Sequence, residues 1–229
     1  MAISPIRAIV FDAVGTLLFP EPNAVEAYLE IGTRHGSKLS AEQIRARFGR
    51  FFSPEEQADR NSHWRTSEIR ERQRWQNIVT GVLDDVEDDE ACFTDLFEHF
   101  RRPASWQCVN GIGPLLSELQ AQGLTLAIGS NFDSRLHDVL AGFPELQKLR
   151  HVLISSEVGY RKPAAEFFLA VAEQVQAAPK EILFVGDDAI NDIRGASDLG
   201  MSTLLVDSTS TARTMRDGID QHLTRRENA

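Results

Sequence analysis

The stretch Ile9-Val10-Phe11-Asp12-Ala13-Val14-Gly15-Thr16-Leu17-Leu18 sets an aspartate directly after a short apolar run and follows it with a Gly-Thr turn. A continuous apolar run bounded by turn residues reads as a strand buried on both faces, the kind found in parallel sheets. A buried strand rarely ends in a carboxylate that has no partner, because an unpaired charge there is costly. Open α/β sheets bind ligands beyond the carboxyl ends of their strands, so Asp12 is the first residue to inspect for chemistry.

Similar runs recur along the chain. Arg7 to Phe11, Leu124 to Ile128, His151 to Ile154, Ile182 to Val185 and Thr203 to Val206 all read as buried parallel strands. Helical patterns lie between the later ones, at Gly113 to Gln122, Ser134 to Leu140, Ala164 to Gln176 and Asp192 to Leu199. That alternation predicts an α/β fold, a doubly wound, Rossmann-like parallel sheet with helices on both faces. From about Phe19 to Pro103 the rhythm stops and several helices follow one another. The spacings Asn23 to Glu26 and Ser40 to Gln43 are those of helix N-terminal capping boxes, and amphipathic stretches run from Thr66 to Leu83 and from Asp89 to Arg101. The acidic cluster Asp84 to Glu90 fits a solvated loop running into a helix start. The expected division is a core of residues 1–18 and 104–229 with an all-helical insert at 19–103. The tail after Arg213 is polar and reads as frayed.

A chain of 229 residues with 42% hydrophobic and 25% charged residues has ample material for one core and has none of the biases of disordered, fibrous or membrane proteins. The net charge of −10 disfavours nucleic acid and anionic membrane surfaces as partners, since both need clustered Lys and Arg. Ile6 to Phe19 carries Arg7 and Asp12 and lacks the layout of a secretion signal; it also falls short of the ~18 uncharged residues of a membrane span. Cys92 and Cys108 are the only cysteines and stand in no metal-ligand spacing. A reducing, cytoplasmic location is expected. Oligomeric state is not encoded in any pattern: the aromatic residues Phe48, Phe51, Phe52, Trp64 and Trp75 of the insert are expected to pack its own core in preference to an interface.

Three further strand ends carry polar groups. Leu126-Ala127-Ile128-Gly129-Ser130-Asn131 offers a hydroxyl, an amide and free backbone N–H groups suited to an anion, with Ser130 and Asp133 as caps for the next helix. Gly159-Tyr160-Arg161-Lys162-Pro163 sets a lysine before a proline able to open a helix at its first position. Ile182-Leu183-Phe184-Val185-Gly186-Asp187-Asp188-Ala189-Ile190-Asn191-Asp192 brings several carboxylates to one strand end, which is hard to sustain without a cation. In this order, the four segments resemble the signature motifs of the haloacid dehalogenase superfamily, and the match spans nearly the whole chain, the insert resembling the helical cap that follows the first strand in many members.

The resemblance implies a Mg²⁺-dependent hydrolase acting on a small phosphorylated molecule. Asp12 would attack phosphorus and form a phosphoaspartate that water then hydrolyses. Mg²⁺ would be held by Asp12, the backbone carbonyl of Val14, Asp187, and waters ordered by Asp192 or Asp188. Ser130, the N–H of Asn131 and Thr16 would bind the phosphoryl oxygens, and Lys162 would balance charge on Asp12 and the phosphate. One position departs from the pattern. Superfamily phosphatases usually carry a second aspartate, the general acid and base, where this chain has Val14, and losing that group typically costs ~10² to 10⁴ in rate.

Three compensations are open: an insert side chain such as His63, Arg34 or Glu68, a substrate with a good leaving group such as an acyl or aryl phosphate, or a binding or regulatory role with little turnover. Dehalogenases of the superfamily also lack the second aspartate but carry a tyrosine there and need no metal, which the acidic Gly186-Asp187-Asp188 segment speaks against. The phosphonate-cleaving branch has alanine there and uses a cap lysine, for which Lys38 is the only candidate in the insert.

Overall fold

The computed structural model describes residues 6–227; positions 1–5 and 228–229, which fall in the expected core and tail, lie outside the described residues. In chain order the elements are β1 (Ala8–Phe11), β2 (Leu18–Pro20), α1 (Ala24–Arg34), α2 (Ala41–Asn61), α3 (Glu68–Val82), α4 (Asp89–His99), β3 (Trp106–Cys108), α5 (Ile112–Ala121) and β4 (Thr125–Ser130). They continue as α6 (Arg135–Ala141), β5 (His151–Ile154), the single turn α7 (Ser155–Val158), α8 (Ala165–Gln174), β6 (Ile182–Gly186), α9 (Gly195–Asp198), β7 (Ser202–Leu205) and α10 (Ala212–Glu227). A π-helical turn, Ala189–Arg194, leads into α9.

The five expected strands form one sheet in the order β5-β4-β1-β6-β7, and every neighbouring pair is parallel. Side chains alternate across a strand with period two. In β1, Ile9 and Phe11 therefore enter one apolar layer while Ala8 and Val10 enter the other. β6 divides in the same way, with Leu183 and Val185 against Ile182 and Phe184. One face is covered by α5, α6 and α10 through Leu116, Leu119, Val139 and Ile219, and the opposite face by α8 and α9 through Phe167, Phe168 and Ala196. This three-layer, doubly wound arrangement is the one the strand pattern predicts.

The helices α1 to α4 have an apolar cluster of their own, in which Tyr28, Ile44, Ile78, Val82 and Phe93 are buried. Phe48, Phe51, Phe52 and Trp75 pack against that cluster, as expected from the sequence, whereas Trp64 stands outside it, its ring under the Arg60 guanidinium. Their ends are capped by side chains: Asn23 accepts from the N–H of Glu26, Ser67 from that of Arg70 and Asp88 from that of Ala91, and Ser40 with Gln43 forms a full capping box. Asp88 lies in the predicted acidic cluster, immediately before α4. Among the described residues no helix is long and apolar enough to cross a membrane.

Several local expectations need correction. The chain enters and leaves the helical insert through a small antiparallel ribbon, with Leu18 opposite Cys108 and Pro20 opposite Trp106, so a strand reaches into the stretch read as purely helical. Three-residue strands are too short to show an alternation. The tail is not frayed through 227: α10 buries Met215 and Ile219 at four-residue spacing against the sheet, a thin stripe that the surrounding charges obscured. Pro163 does not open α8, because the Ala164 N–H closes a turn onto the Arg161 carbonyl and the helix begins at Ala165. Ser130 caps no helix: α6 starts at Arg135, whose N–H bonds Asp133 Oδ1. The helix expected from Asp192 begins earlier, since Asp188 Oδ1 accepts from the N–H groups of Ile190 and Asn191 and starts the π-helical turn.

If α10 is part of the core, Ile219→Ala, at a fully buried site, will cost ~2 to 5 kcal/mol of stability. Urea unfolding of the two proteins measures it, and a loss below ~0.5 kcal/mol, typical of exposed positions, would show that the helix is not docked.

Candidate active site

The sheet order sets β1 between β4 and β6, so Asp12, Ser130 and Asp187 emerge side by side at the carboxyl ends of three adjacent strands. β1 continues one step past its last residue, the Asp12 N–H bonding the Val185 carbonyl at 2.8 Å. Asp12, Val14, Ser130, Asn131, Lys162 and Asp187 then line one pocket, together with Asp188 and Asp192. Eight of the nine residues given a role in the sequence thus reach a common cavity. The ninth, Thr16, is fully buried beside it and donates to Asp187 Oδ1 at 3.3 Å.

Lys162 is the centre of the arrangement. Its side chain is 2% exposed, and Nζ lies 2.6 Å from Asp12 Oδ1, 2.6 Å from Asp192 Oδ1 and 2.9 Å from the Gly129 carbonyl. The Asn131 side chain fixes the backbone behind it, accepting from the Lys162 N–H at 2.7 Å and donating to the Lys162 carbonyl at 3.0 Å. Burial works against a charged lysine, but Asp12 and Asp192 outweigh it and hold the pKa of Lys162 above the ordinary value. The ammonium therefore stays charged.

One ammonium does not neutralise three carboxylates. Asp12, Asp187 and Asp192 each present an oxygen within 4.8 Å of the others. Burial drives the Asp12 carboxyl up, Lys162 opposes the rise, and Asp192 and Asp187 add to it, leaving the pKa raised to about 7. Asp187 is raised for the same reasons, burial first and then the charge of Asp192. Two glycines let the carboxylates approach this closely. A Cβ on Gly15, whose φ of +94° already favours glycine, would sit 2.4 Å from Asp187 Oδ2, and one on Gly186 would sit 2.3 Å from Asp192 Oδ2. Excess negative charge, oxygen-only donors and a cradle kept clear of side chains suit a hard divalent cation such as Mg²⁺.

The helical insert supplies Phe52, Arg74 and Trp75 to the pocket wall, and Arg161 joins them from beside Lys162. Neither arginine is marked in the sequence, although Arg161 stands within the Lys162 segment. Both are spent on buried carboxylates. Arg74 is paired with Asp59, which also takes Arg70 at 2.7 Å; Arg161 is paired with Glu71 and lies 3.6 Å from Asp59. This network ties α2 and α3 to the Lys162 loop, where the Arg161 N–H also bonds the Trp64 carbonyl at 2.8 Å. Glu68 makes a second tie, accepting from the N–H and hydroxyl of Ser134 and from the hydroxyl of Ser156, and these bonds hold its pKa below the ordinary value against the effect of burial. His63, Arg34, Glu68 and Lys38 are all absent from the pocket lining.

Residues 6–200 match the haloacid dehalogenase-like hydrolase family. The human haloacid dehalogenase-like hydrolase domain-containing protein 3 is 30% identical over 209 residues, which cover 88% of this chain and 82% of that protein. A glyceraldehyde 3-phosphate phosphatase of Methanopyrus kandleri is 32% identical over 94 residues, or 41% of this chain and 40% of that one. Among solved structures, the L-2-haloacid dehalogenase from Xanthobacter autotrophicus superposes with a TM-score of 0.69 at 21% identity, covering 93% of this chain and 82% of that one, a likeness of fold. With the parallel sheet, three polar strand ends joined by Lys162, which stands on the loop after α7 and not at a strand end as expected, and a family match across most of its length, the chain belongs to the haloacid dehalogenase-like hydrolases.

Proposed function

We propose that this hydrolase is a Mg²⁺-dependent phosphatase of a small phosphorylated metabolite and works through a phosphoaspartate on Asp12. The observation that carries the reading is the knot of Asp12, Asp187 and Asp192 around the single buried ammonium of Lys162. Asp12, the Val14 carbonyl and Asp187 would hold the cation, with Asp192 ordering its waters. Mg²⁺ would offset the charge repulsion between a carboxylate nucleophile and a phosphate dianion.

The protein's own groups supply the rest. The Asp12 oxygen not bound by Lys162 attacks phosphorus, and Lys162 holds the carboxylate in place by its bond to Oδ1. Ser130 and the Asn131 N–H receive phosphoryl oxygens at the end of β4. Thr16 serves the phosphate less directly: its hydroxyl is committed to Asp187, so we assign it to positioning that carboxylate. Residues 19–103 would act as the cap over a core of 1–18 and 104–229, excluding bulk water from the acyl phosphate. Its charge network and Glu68 hold that cap against the core. A cytoplasmic setting and no nucleic acid or membrane partner accompany this reading.

Val14 favours one rival, a binding or regulatory protein with little turnover. Phosphate release from alkyl, aryl and acyl phosphates, with Mg²⁺ or EDTA, separates the two. The phosphatase reading predicts metal-dependent release that Asp12→Asn abolishes, whereas Mg²⁺ binding with no release from any ester would support the rival. Val14→Asp is expected to raise kcat on an alkyl phosphate by up to ~10² to 10⁴, the worth of a general acid and base; an unchanged kcat would mean that the missing carboxylate is not what limits the enzyme.

A further inference from the structure

Beside the carboxylate pocket lies a second cavity of about 200 Å³, set between the helical insert and the sheet. Tyr28, Phe48, Phe93, Phe100, Trp106 and Phe132 form much of its wall. Val14, Phe52, Trp75 and Asn131 line both cavities, so the two meet next to Asp12. Among the described residues the Arg135 guanidinium is the only charged group in the lining, and each of its nitrogens is engaged: Nε and Nη2 bond the two oxygens of Asp133 at 2.7 Å, and Nη1 bonds the Phe97 carbonyl at 2.9 Å. It also lies 3.4 Å over the Phe97 ring. Burial raises the pKa of Tyr28, so its phenol is neutral. Among the described residues the lining has no uncommitted charge with which to hold an ionic group, its walls are predominantly aromatic, and natural interiors rarely leave an apolar void of this size unfilled.

We propose that this cavity receives the leaving group of the substrate and that this group is aromatic, joined to phosphorus through a phenolic oxygen. The inference rests on the phosphatase reading and extends it to a substrate class. An apolar cavity of roughly 150 Å³ is enough for one benzene ring, so a single substituted ring fits here and a large fused system does not. Val14 is then part of the wall. An ionised aspartate in its place would bring a charge to the mouth of an apolar chamber, at a desolvation cost.

The leaving group also removes the need for the acid half of that aspartate's work. An Asp12 oxygen forms its bond to phosphorus as the bond from phosphorus to the phenolic oxygen breaks, and the electron pair leaves on that oxygen. A phenol has a pKa of about 10, far below the 15.7 of water, so the phenolate departs unaided and takes its proton from solvent. Water then attacks the phosphoaspartate, the bond from phosphorus to Asp12 breaks, and with valine at position 14 the water's proton passes to solvent, which returns Asp12 with inorganic phosphate.

Binding of phenylphosphonate and methylphosphonate to the Mg²⁺-loaded protein, followed by calorimetry, tests this without depending on turnover. The expected result is at least a tenfold preference for the phenyl compound, with pyrenylphosphonate binding more weakly than phenylphosphonate. Ala24 lines the cavity, and in a folded Ala24→Phe the phenyl-to-methyl preference will shrink at least fivefold. Equal affinity for the phenyl and methyl compounds in the wild type would overturn the inference, and hydrolysis of acetyl phosphate under the same conditions would show that the phosphatase reading survives it. Aryl selectivity without hydrolysis of any ester would instead overturn the phosphatase reading and the leaving-group role with it.

Discussion

The buried ammonium of Lys162, held between Asp12 and Asp192, is the constraint from which the site follows. A lysine that is 2% exposed stays in the interior only if its charge is answered, and a carboxylate at the end of a central strand has the same need. The sheet order meets both requirements by setting the ends of β1 and β6 side by side. Having gathered Asp12, Asp187 and Asp192 around one cation, it leaves more negative charge than Lys162 can balance. Burial first, and then the charges of Asp192 and Asp187 against the opposing Lys162, raise the pKa of Asp12 to about 7. Gly15 and Gly186 stand where a methyl group would push Asp187 and Asp192 out of reach.

The helical insert divides the space above these strand ends into two regions of opposite character. On one side Arg74 and Arg161 enclose the carboxylate pocket while their charges are answered by Asp59 and Glu71, so the wall is polar and close to neutral. On the other side an aromatic chamber meets the same carboxylate pocket across Val14 and Asn131. Val14 looks like a defect when judged against phosphatases that carry an aspartate there. Within this chamber it is a fitting surface. Under the proposed reading, a valine there would suit a site whose leaving group needs no proton.

The sheet was legible in the sequence because fully buried parallel strands leave unbroken apolar runs, and β1, β4 and β6 are of this kind. Their polar endings gave the candidate residues, since strand order puts such ends together whatever the loop lengths. Features carried by sparse or distant signals were harder to see. The β2–β3 ribbon has three residues a side, and the apolar stripe of α10, Ala212, Met215 and Ile219 with Leu223, is narrow and set among many charges. Arg74 was invisible for another reason. It lies in a helix crowded with arginines, and only the packing of α3 against α2 selects the one that reaches the pocket. The aromatic chamber depends likewise on how the insert sits on the sheet. The sequence marked Phe48, Phe52 and Trp75 as core, and they pack the insert's core while also lining the chamber.

A direct test of the carboxylate knot is a calorimetric titration of Mg²⁺ into the wild-type protein and into Asp187→Asn. The excess of negative charge predicts one Mg²⁺ bound per chain by the wild type and at least tenfold weaker binding by the variant, which keeps Lys162 and Asp192 but loses a carboxylate from the cluster. Absence of Mg²⁺ binding by the wild type, or equal binding by both proteins, would contradict the account.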